Sequence, residues 1–421
     1  MDCSFKKMST FLAVVLGWSI IFELPYIRNS FYIPICQALN LTNKEFGALS
    51  SIYSCVCVAV YFMGGILSDR IHSRWILLLP FVGTGILGFW FSSFPDYGEL
   101  KIIFALMGVT TVMTFFSTAI RIFISLGTRY EQGRILGLAE AGKGVFAGLT
   151  FLIIQIMFRA LGGSRFGFEW VIKSYAVLNI IVGIGMVLIV PDEYLHVRQT
   201  MTLGQELKKV VLNYKVWNMG LVVFLSYSMY TFLSFIPSFF LKVYGLSLET
   251  SQAISMWRYG MQVVGAILAG YLADKSKSSY KMIFGGFVII LVSLLNFLMQ
   301  LHGSSFLLLG ILGFGIFSIT VYGTKALYYT MLSENSIDEA CIGGTIGLIA
   351  AIGYLPDTFM YSMVGNWIDL GGQGYYKMFT YAIILTLIGI AVSGATLYGM
   401  KCRRRIRENG RGESGLSLIH I

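Results

Sequence analysis

Two stretches of sequence decide the fold: Gly64-Gly65-Ile66-Leu67-Ser68-Asp69-Arg70-Ile71-His72-Ser73-Arg74, and Ala269-Gly270-Tyr271-Leu272-Ala273-Asp274-Lys275-Ser276-Lys277. Each stretch ends a long apolar run with a short basic turn, and another apolar run follows. The second copy keeps the Gly-x-x-x-Asp spacing and the cation after the aspartate. Because the same turn recurs at corresponding places, we expect two related halves, an arrangement typical of carriers.

The composition places most of the chain in lipid. Of 421 residues, 56% are hydrophobic and only 12% are charged, and the mean hydropathy is +0.74. One soluble core cannot hide this much apolar surface. The net charge of +10 then serves membrane orientation and contact with anionic lipid head groups. We therefore exclude a nucleic-acid partner.

Apolar runs of about 20 residues, the length that crosses a bilayer, can be counted along the whole sequence. We number them spans 1 to 12 and expect six in each half. Those of the first half lie near residues 9–31, 46–67, 75–94, 100–126, 138–160 and 171–191. Those of the second half lie near residues 215–241, 250–273, 281–301, 304–332, 341–364 and 375–400. The predicted fold class is an all-α membrane protein built of two pseudo-symmetric six-helix bundles.

The basic residues predict the orientation of the chain. With the amino terminus in the cytoplasm, 19 Lys and Arg residues lie on that side and 8 on the other, so the positive-inside rule places both termini in the cytoplasm. The first apolar run after Lys6 and Lys7 is of spanning length and lacks a clear cleavage site, so we expect no cleaved signal peptide. The six cysteines show no metal-binding spacing, and no disulfide, metal site or cofactor is expected.

Polar stretches divide the chain into segments. Residues 1–191 form the predicted amino-terminal bundle, 192–214 a cytoplasmic linker, 215–400 the carboxy-terminal bundle and 401–421 a basic cytoplasmic tail. The linker segment from Thr202 to Lys209 could form a short amphipathic helix. We interpret it as a passive connection, with a regulatory role as the alternative. Residues 416–421 read like a translated end of a sequencing-library transposon, so we exclude them, and His420, from functional reasoning.

These features resemble the major facilitator superfamily across the chain to about residue 400, although Ile71-His72 replaces the glycine that usually follows the Asp-Arg pair. A closer resemblance is to YihN-like inner-membrane permeases of bacteria. It is carried by Phe31-Tyr32-Ile33-Pro34, by Gln132-Gly133-Arg134 with Gly137, Glu140 and Gly142, by Gly353-Tyr354-Leu355-Pro356, by Asp369-Leu370 and by Gly374-Tyr375-Tyr376-Lys377. The resemblance implies a monomeric, multi-pass transporter of the bacterial inner membrane.

The resemblance also implies a gate. In the superfamily, the aspartate of the repeated turn is held by helix amino termini and basic side chains only while the cytoplasmic face is closed. One gate would use Asp69 with Arg70 and Arg74, and the other Asp274 with Lys275. The further gating candidates on span 5 are Arg134, Glu140 and Lys143, of which the last two are three residues apart and expected to pair. The alternative is that these loop charges only obey the positive-inside rule.

Seven charged residues lie inside apolar spans, where each costs about 2.5–3.5 kcal/mol at a helix centre: Glu23, Arg121, Glu140, Lys143, Arg258, Lys325 and Asp357. Asp69 and Asp274 set a register of 205 residues between the halves, which brings Arg121 within one residue of Lys325. The resemblance implies that spans 1, 4, 7 and 10 line a central cavity. We therefore expect Arg121 and Lys325 to clamp an anion. The alternative is that both side chains snorkel to the interface.

Glu23 lies in the middle of span 1, beside Pro25, which loosens the helix. A buried carboxylate can exchange protons as its surroundings change, so Glu23 is predicted to contact the cargo and to couple transport to protons. Asp357, after the Gly-Tyr-Leu-Pro break, is a second candidate for both roles, and a structural ion pair is the alternative for Asp357 as well as for Arg258. YihN-like permeases carry a lysine at the position of Glu23, and a static ion pair with Arg28 is the alternative.

Further cargo contacts are expected from residues in or beside the cavity-lining spans: Arg258, Tyr32, Tyr227, Tyr230, Trp257 and Tyr328. The predicted function is proton-coupled uptake, by alternating access, of a small organic anion such as a sugar acid, a sulfonate or a phosphorylated compound. A proton-driven exporter of drugs or metabolites is the alternative within transport. No Ser/His/Asp arrangement or HExxH motif supports a membrane-embedded enzyme, and no added domain supports a sensor.

Overall fold

The computed structural model describes residues 3–71, 74–128, 130–195, 201–246, 248–301, 307–368 and 370–416, which contain helices and no strand. The helices of the first half are α1 (Cys3–Ile20), α2 (Arg28–Leu39), α3 (Asn43–Arg70), α4 (Trp75–Ser92), α5 (Tyr97–Val112), α6 (Phe115–Ser125), α7 (Gln132–Ala160) and α8 (Arg165–Ile189). The linker carries α9 (Leu203–Val211). The second half contains α10 (Tyr214–Leu233), α11 (Ile236–Tyr244), α12 (Leu248–Ser276), α13 (Ser279–Gln300), α14 (Leu307–Ala326), α15 (Met331–Glu334), α16 (Ile342–Gly353), α17 (Pro356–Ile368) and α18 (Gly372–Leu416).

The fold class predicted from the sequence is confirmed. Ten stretches in the described part of the chain are long and apolar enough to cross a membrane. Two further spans complete the twelve, namely span 1, which is α1 and α2, and span 8, which is α12. Several predicted positions, residues 417–421, His72, Asp369 and the side chain of Tyr32, lie outside the described part. The division into bundles at residues 191 and 215 stays a prediction.

Five spans are interrupted rather than continuous. Spans 1, 4, 7 and 11 each consist of two helices, the pairs α1 and α2, α5 and α6, α10 and α11, and α16 and α17, and span 10 ends in the short turn before α15. Pro356 at the start of α17 shows one cause, because proline cannot donate the backbone hydrogen bond that would continue α16. Broken helices of this kind leave free backbone groups only where protein or a cavity surrounds them.

The two halves meet through two helix pairs, α3 with α16 and α7 with α12. We call the side of the bundle where α3 and α12 end, and where α7 and α16 begin, the Asp69 face. Glycines allow the close approach there. A methyl group on Gly65 would overlap the carbonyl oxygen of Gly343, and one on Gly270 would overlap that of Gly133. The halves are therefore packed backbone against backbone at this face.

The packing predicts that Gly270→Ala destabilises the protein. The added methyl group has no room beside α7, and overpacking of this kind costs about 1–3 kcal/mol. We expect a lower midpoint of thermal unfolding in detergent. Gly285→Ala is the matched control, because a methyl group there meets no atom within 4 Å. Equal midpoints for the two variants would contradict the close packing.

Candidate functional site

Asp69 joins the two halves at the Asp69 face. Its Oδ2 accepts a hydrogen bond from the backbone N–H of Gly344 in the first turn of α16, at 3.0 Å. Its Oδ1 accepts one from Arg121 Nη1, at 2.9 Å, and the same guanidinium nitrogen donates to the carbonyl oxygen of Ser68. The Asp69 side chain is fully buried. A carboxylate at a helix amino terminus is stabilised by the free N–H groups and by the helix dipole.

Asp274 makes the corresponding contact in the other direction. Its Oδ1 accepts from the backbone N–H of Gly133 at 2.9 Å, and its Oδ2 accepts from the backbone N–H and from Nε of Arg134 at 3.0 and 3.1 Å. Gly133 and Arg134 lie in the first turn of α7. Each half therefore lends its aspartate to a helix amino terminus of the other half. We call the two contacts together the crossed gate.

The basic partners of the gate differ from those predicted. Arg70 pairs with Glu206 at 2.9 Å and Arg74 with Asp192 at 2.7 Å, so both arginines form their ion pairs with acids other than Asp69. Arg121 pairs with Asp69, and Arg134 rather than Lys275 pairs with Asp274. The physical reason is direction: Arg70 and Lys275 follow the aspartates by one residue and so point about 100° away around the helix.

The linker helix α9 lies against the gate. Thr202 and Gln205 form a capping box at its start, which is the short helix that the sequence predicts. Glu206, fully buried, pairs with Arg70 of the first half, and Lys209 pairs at 2.6 Å with Asp338, just before α16 of the second half. Burial raises the pKa of the Glu206 carboxyl, and the hydrogen bond from Arg70 opposes that shift. The linker thus contacts both halves where they close.

A cavity of about 160 Å³ lies between the halves. Three carboxylates and three cations line it: Glu23, Glu140, Asp357, Lys143, Arg258 and Lys325. Ten tyrosines line it as well: Tyr26, Tyr61, Tyr227, Tyr230, Tyr259, Tyr322, Tyr328, Tyr329, Tyr354 and Tyr361. The described residues provide no group of three or more His, Cys, Asp or Glu side chains placed to hold a metal ion.

A chain of charges crosses the cavity from one half to the other. Lys325 Nζ, at the end of α14, donates to Glu140 Oε1 on α7 at 2.7 Å, and Gln262 Nε2 on α12 donates to the same oxygen at 3.0 Å. Lys143 lies over the rings of Trp18 and Phe22, at 5.3 and 5.5 Å from their centroids. The predicted ion pair between Glu140 and Lys143 is therefore wrong, since Lys325 takes the carboxylate.

Glu23 lies in the break between α1 and α2, at residues 21–27, with Lys143 and Tyr175 nearby. Its alternative partner, Arg28, stacks instead over the ring of Tyr361, at 4.6 Å from the centroid. None of the ion pairs within the described ranges joins Glu23 to Arg28. The position of Glu23 is thus at the cavity wall, beside a cation of the same half.

Two cavity cations, Lys143 and Arg258, have no carboxylate partner within ion-pair distance among the described residues. Lys143 has Glu140 and Glu23 within electrostatic reach, which leaves Arg258 as the cation with a different environment. It lies among tyrosines, with Tyr259, Tyr230, Tyr322 and Tyr361 within electrostatic reach. Its guanidinium carbon is 5.8 Å from the centroid of the Tyr259 ring. A guanidinium presents several N–H donors in a fixed plane, which suits an incoming oxyanion.

Asp357 lies at the start of α17 and is only 7% exposed. Tyr227 and Tyr26 both donate to its Oδ2, at 2.7 and 3.2 Å. Its Oδ1 is buried without a hydrogen-bond partner in the described part of the chain. A buried carboxylate with no paired cation is costly, so an ionised Asp357 is unfavourable in the empty cavity.

The structure brings most of the predicted cargo contacts together and separates two. Glu23, Tyr227, Tyr230, Arg258, Lys325, Tyr328 and Asp357 all line the cavity, and so do Glu140 and Lys143, which were expected at the gate. Arg121 lies instead in the gate beside Asp69, so the predicted clamp of Arg121 with Lys325 is not formed. A one-residue offset between them rotates a side chain by about 100°. Trp257 is 57% exposed and does not line the cavity.

Several cavity residues were not anticipated from the sequence: Tyr26, Tyr259, Gln262, Tyr322 and Tyr361. Helical spacing is the signal that could have found them. Gln262 follows Arg258 by four residues, Lys325 follows Tyr322 by three, and Tyr361 follows Asp357 by four. Residues three or four apart share one face of a helix, so each charged residue inside a span indicates which neighbours face the same cavity.

The crossed gate predicts a labelling experiment. Cys341, 3% exposed just before α16, should react slowly with a maleimide while the Asp69 face is closed. In a variant with the other cysteines replaced by serine, Asp274→Asn removes the charge at the opposite contact. A charge-assisted hydrogen bond contributes about 1.5–3 kcal/mol, so we expect labelling of Cys341 to accelerate by about tenfold or more.

The control for this experiment is Glu193→Gln, which changes an exposed acid near the end of α8 and should leave the labelling rate unchanged. An unchanged rate in Asp274→Asn would mean that the aspartate does not hold the Asp69 face closed.

Comparison with known proteins agrees with the fold. The chain is 27% identical over 401 residues to the inner membrane protein YihN of Escherichia coli strain K12, covering 92% of this chain and 94% of the relative. It is 24% identical to the inner membrane protein YqcE of the same organism, with 94% of each chain covered. It is 25% identical to the cis,cis-muconate transport protein of Acinetobacter baylyi, covering 87% of this chain and 90% of the relative.

The solved structure of the proton:xylose symporter XylE superimposes with a TM-score of 0.74 at 14% sequence identity, covering 92% of this chain and 95% of that one. The family model of the Major Facilitator Superfamily matches residues 8–355. Its members and the structural neighbours are transporters, not enzymes, and the similarity to inner membrane proteins agrees with the many apolar helices. This chain is a multi-pass membrane transporter that belongs to the Major Facilitator Superfamily.

Proposed function

We propose that the protein carries a small organic anion together with a proton across the inner membrane by alternating access. The observation that carries the proposal is Arg258, a cavity cation for which the described residues provide no carboxylate partner. An unpaired guanidinium between two protein halves is costly when the cavity is empty and favourable when an oxyanion fills it. A cargo that contacts both halves would then stabilise the closed cavity.

The cavity volume supports a small cargo. About 160 Å³ is close to the roughly 150 Å³ cavity that accommodates benzene, so a cargo with a six-membered ring or a short chain fits. Drug-sized ligands occupy about 300–1,000 Å³. The size and Arg258 both argue against the export of bulky cationic drugs. One relative is named for transport of muconate, an organic anion.

The charge balance supports a coupled proton. The lining carries three acids and three cations, so the formal charge of the empty cavity is zero when all six groups are ionised. An anion would leave one negative charge in excess in a place where excess charge is costly. One proton on a carboxylate restores neutrality. Asp357, with a buried and unpartnered Oδ1, is our first choice for that proton, and Glu23 is the second.

The orientation and the gates complete the proposal. We propose that the Asp69 face and both termini lie in the cytoplasm, because the excess of basic residues on that side follows the positive-inside rule, and that the amino- and carboxy-terminal bundles are the two moving bodies of a monomer. Closure of that face would use the crossed gate. Three hydrogen bonds from backbone N–H groups and one ion pair join the two halves there. Opening it must break every one of these contacts.

The role of Arg258 is tested by Arg258→Gln in proteoliposomes, with uptake of labelled carboxylates, sulfonates and phosphates as the measurement. Losing a charge-assisted hydrogen bond of about 1.5–3 kcal/mol should lower kcat/KM for the transported anion by about tenfold or more. Arg159→Gln, an exposed arginine at the end of α7, should transport like the parent. Normal anion uptake by Arg258→Gln, or uptake of cationic dyes alone by the parent, would refute the anion site.

The role of Asp357 is tested by Asp357→Asn, which keeps the tyrosine hydrogen bonds to one oxygen and cannot take up a proton. We expect uphill accumulation driven by a pH gradient to be lost, while exchange of labelled for unlabelled anion persists. Glu23→Gln is run beside it as the competing assignment. If Asp357→Asn still accumulates anion and Glu23→Gln does not, the proton belongs on Glu23; accumulation by both variants would remove both carboxylates from coupling.

A further inference from the structure

We infer that the cargo is a polyhydroxylated monoanion, a sugar-acid-like molecule with one carboxylate and several hydroxyl groups, and not a hydrocarbon or aromatic acid. The inference rests on the proposed function and deepens it. The observations behind it are the hydroxyl groups that face the cavity without partners, together with the cavity's size and charge.

Nine of the ten cavity tyrosines fall into two groups; the tenth, Tyr361, lies under the guanidinium of Arg28. Tyr26 and Tyr227 donate to Asp357, Tyr328 donates to Ser226, and Tyr329 to the hydroxyl of Tyr354. These hydroxyls are already satisfied and serve the protein's own packing.

The second group consists of Tyr61, Tyr230, Tyr259 and Tyr322, which also line the cavity. Within the described ranges, none of their hydroxyls forms a hydrogen bond with another protein group. Three of the four, Tyr230, Tyr259 and Tyr322, surround Arg258. These four hydroxyls must therefore bond either to water or to the cargo.

The surroundings of these hydroxyls are polar, so the cargo must carry groups that form hydrogen bonds. The rings of Tyr230 and Tyr322 meet edge to face at 5.7 Å, and Lys325 Nζ lies 4.5 Å from the centroid of the first. Gln262 and the serines Ser19, Ser54 and Ser234 add further polar groups to the wall. Gln262 already donates to Glu140, and Ser19 to the carbonyl oxygen of Lys143, so a cargo that enters here would replace water mainly at the four free tyrosine hydroxyls. A hydrocarbon chain cannot replace that water, whereas a chain of hydroxyl groups can.

The energetics of unpaired groups make the preference large. A buried hydroxyl left without a partner costs roughly a tenfold loss of affinity or more. Sites built to bond hydroxyl groups accordingly reject analogues that lack them far more strongly than apolar sites reject added hydroxyls. Two such groups left unpaired by a hydrocarbon acid would reduce its transport by about a hundredfold.

Charge and volume limit the remaining choice to a monoanion. Three acids balance three cations around the cavity, so one coupled proton compensates one negative charge, and a dianion would leave an uncompensated charge. The volume of about 160 Å³ excludes disaccharide acids. A chain of three to six carbons with one carboxylate meets both limits.

The experiment compares two pairs of acids in proteoliposomes of the full chain: D-gluconate with hexanoate, and D-glycerate with propionate. The members of each pair share carbon number and charge and differ in hydroxyl groups. We expect the hydroxylated member to be taken up with a kcat/KM about a hundredfold higher in the gluconate pair, and about tenfold higher in the glycerate pair. Because the short acids diffuse across lipid in their neutral form, rates are taken above those of protein-free vesicles.

Variants test whether the tyrosine hydroxyls are the cause. Tyr322→Phe and Tyr259→Phe each remove one hydroxyl and keep the ring. Each should lower kcat/KM for gluconate and so reduce the ratio of kcat/KM for gluconate to that for hexanoate by about tenfold. Tyr398→Phe, at a tyrosine that is 72% exposed, should leave the preference unchanged.

The outcomes separate this inference from the proposed function. Equal transport of both members of each pair would overturn the hydroxylated cargo and leave an anion transporter standing. Transport of hydrocarbon acids alone would do the same. Uptake of neither pair, with uptake of a cationic dye such as ethidium, would overturn both the inference and the proposed anion transport.

Discussion

A carboxylate that crosses from one half of the protein to a helix amino terminus of the other is the constraint on which the remaining structure depends. Asp69 bonds to the start of α16, and Asp274 to the start of α7. These bonds need the backbones within hydrogen-bond distance, and glycines at Gly65, Gly133, Gly270 and Gly343 make that approach possible. The cavity lies between the two halves that these bonds hold together. The chemistry of the cavity can therefore be that of buried groups, in which pairing and hydrogen bonding decide the energies.

Inside the cavity, the decisive property is the way that opposite charges are distributed. Glu140 is bound by Lys325 and Gln262, whereas Arg258 has tyrosines rather than an acid around it. The first arrangement joins α7 to α14 and α12 while the cavity is empty. Arg258 lacks a carboxylate partner in the second arrangement, and an oxyanion could bind there. Asp357 is incomplete in the opposite sense, since it lacks a cation and has one unpartnered oxygen. A proton and an anion would complete the two sites together.

The sequence could predict the parts of this arrangement that depend on length, composition and repetition. Apolar runs predicted the spans, and the repeated turn located both aspartates of the gate. Prediction failed where the direction of a side chain around its helix matters. Arg121 and Lys325 are one residue apart in the register of the repeat, yet one reaches Asp69 and the other Glu140. The partners also come from elements distant in sequence, such as Glu206 for Arg70, and no local pattern specifies these contacts.

The crossed gate has the geometry of a two-fold symmetric interface, in which each partner presents the same group to the same place on the other. The two copies have since diverged. Asp69 and Arg121 are buried, whereas the Arg134 side chain that pairs with Asp274 is 56% exposed. Dissolved ions screen exposed pairs much more than buried ones. Raised ionic strength should therefore weaken the contact of Asp274 at the α7–α12 side more than the buried contact of Asp69 at the α3–α16 side.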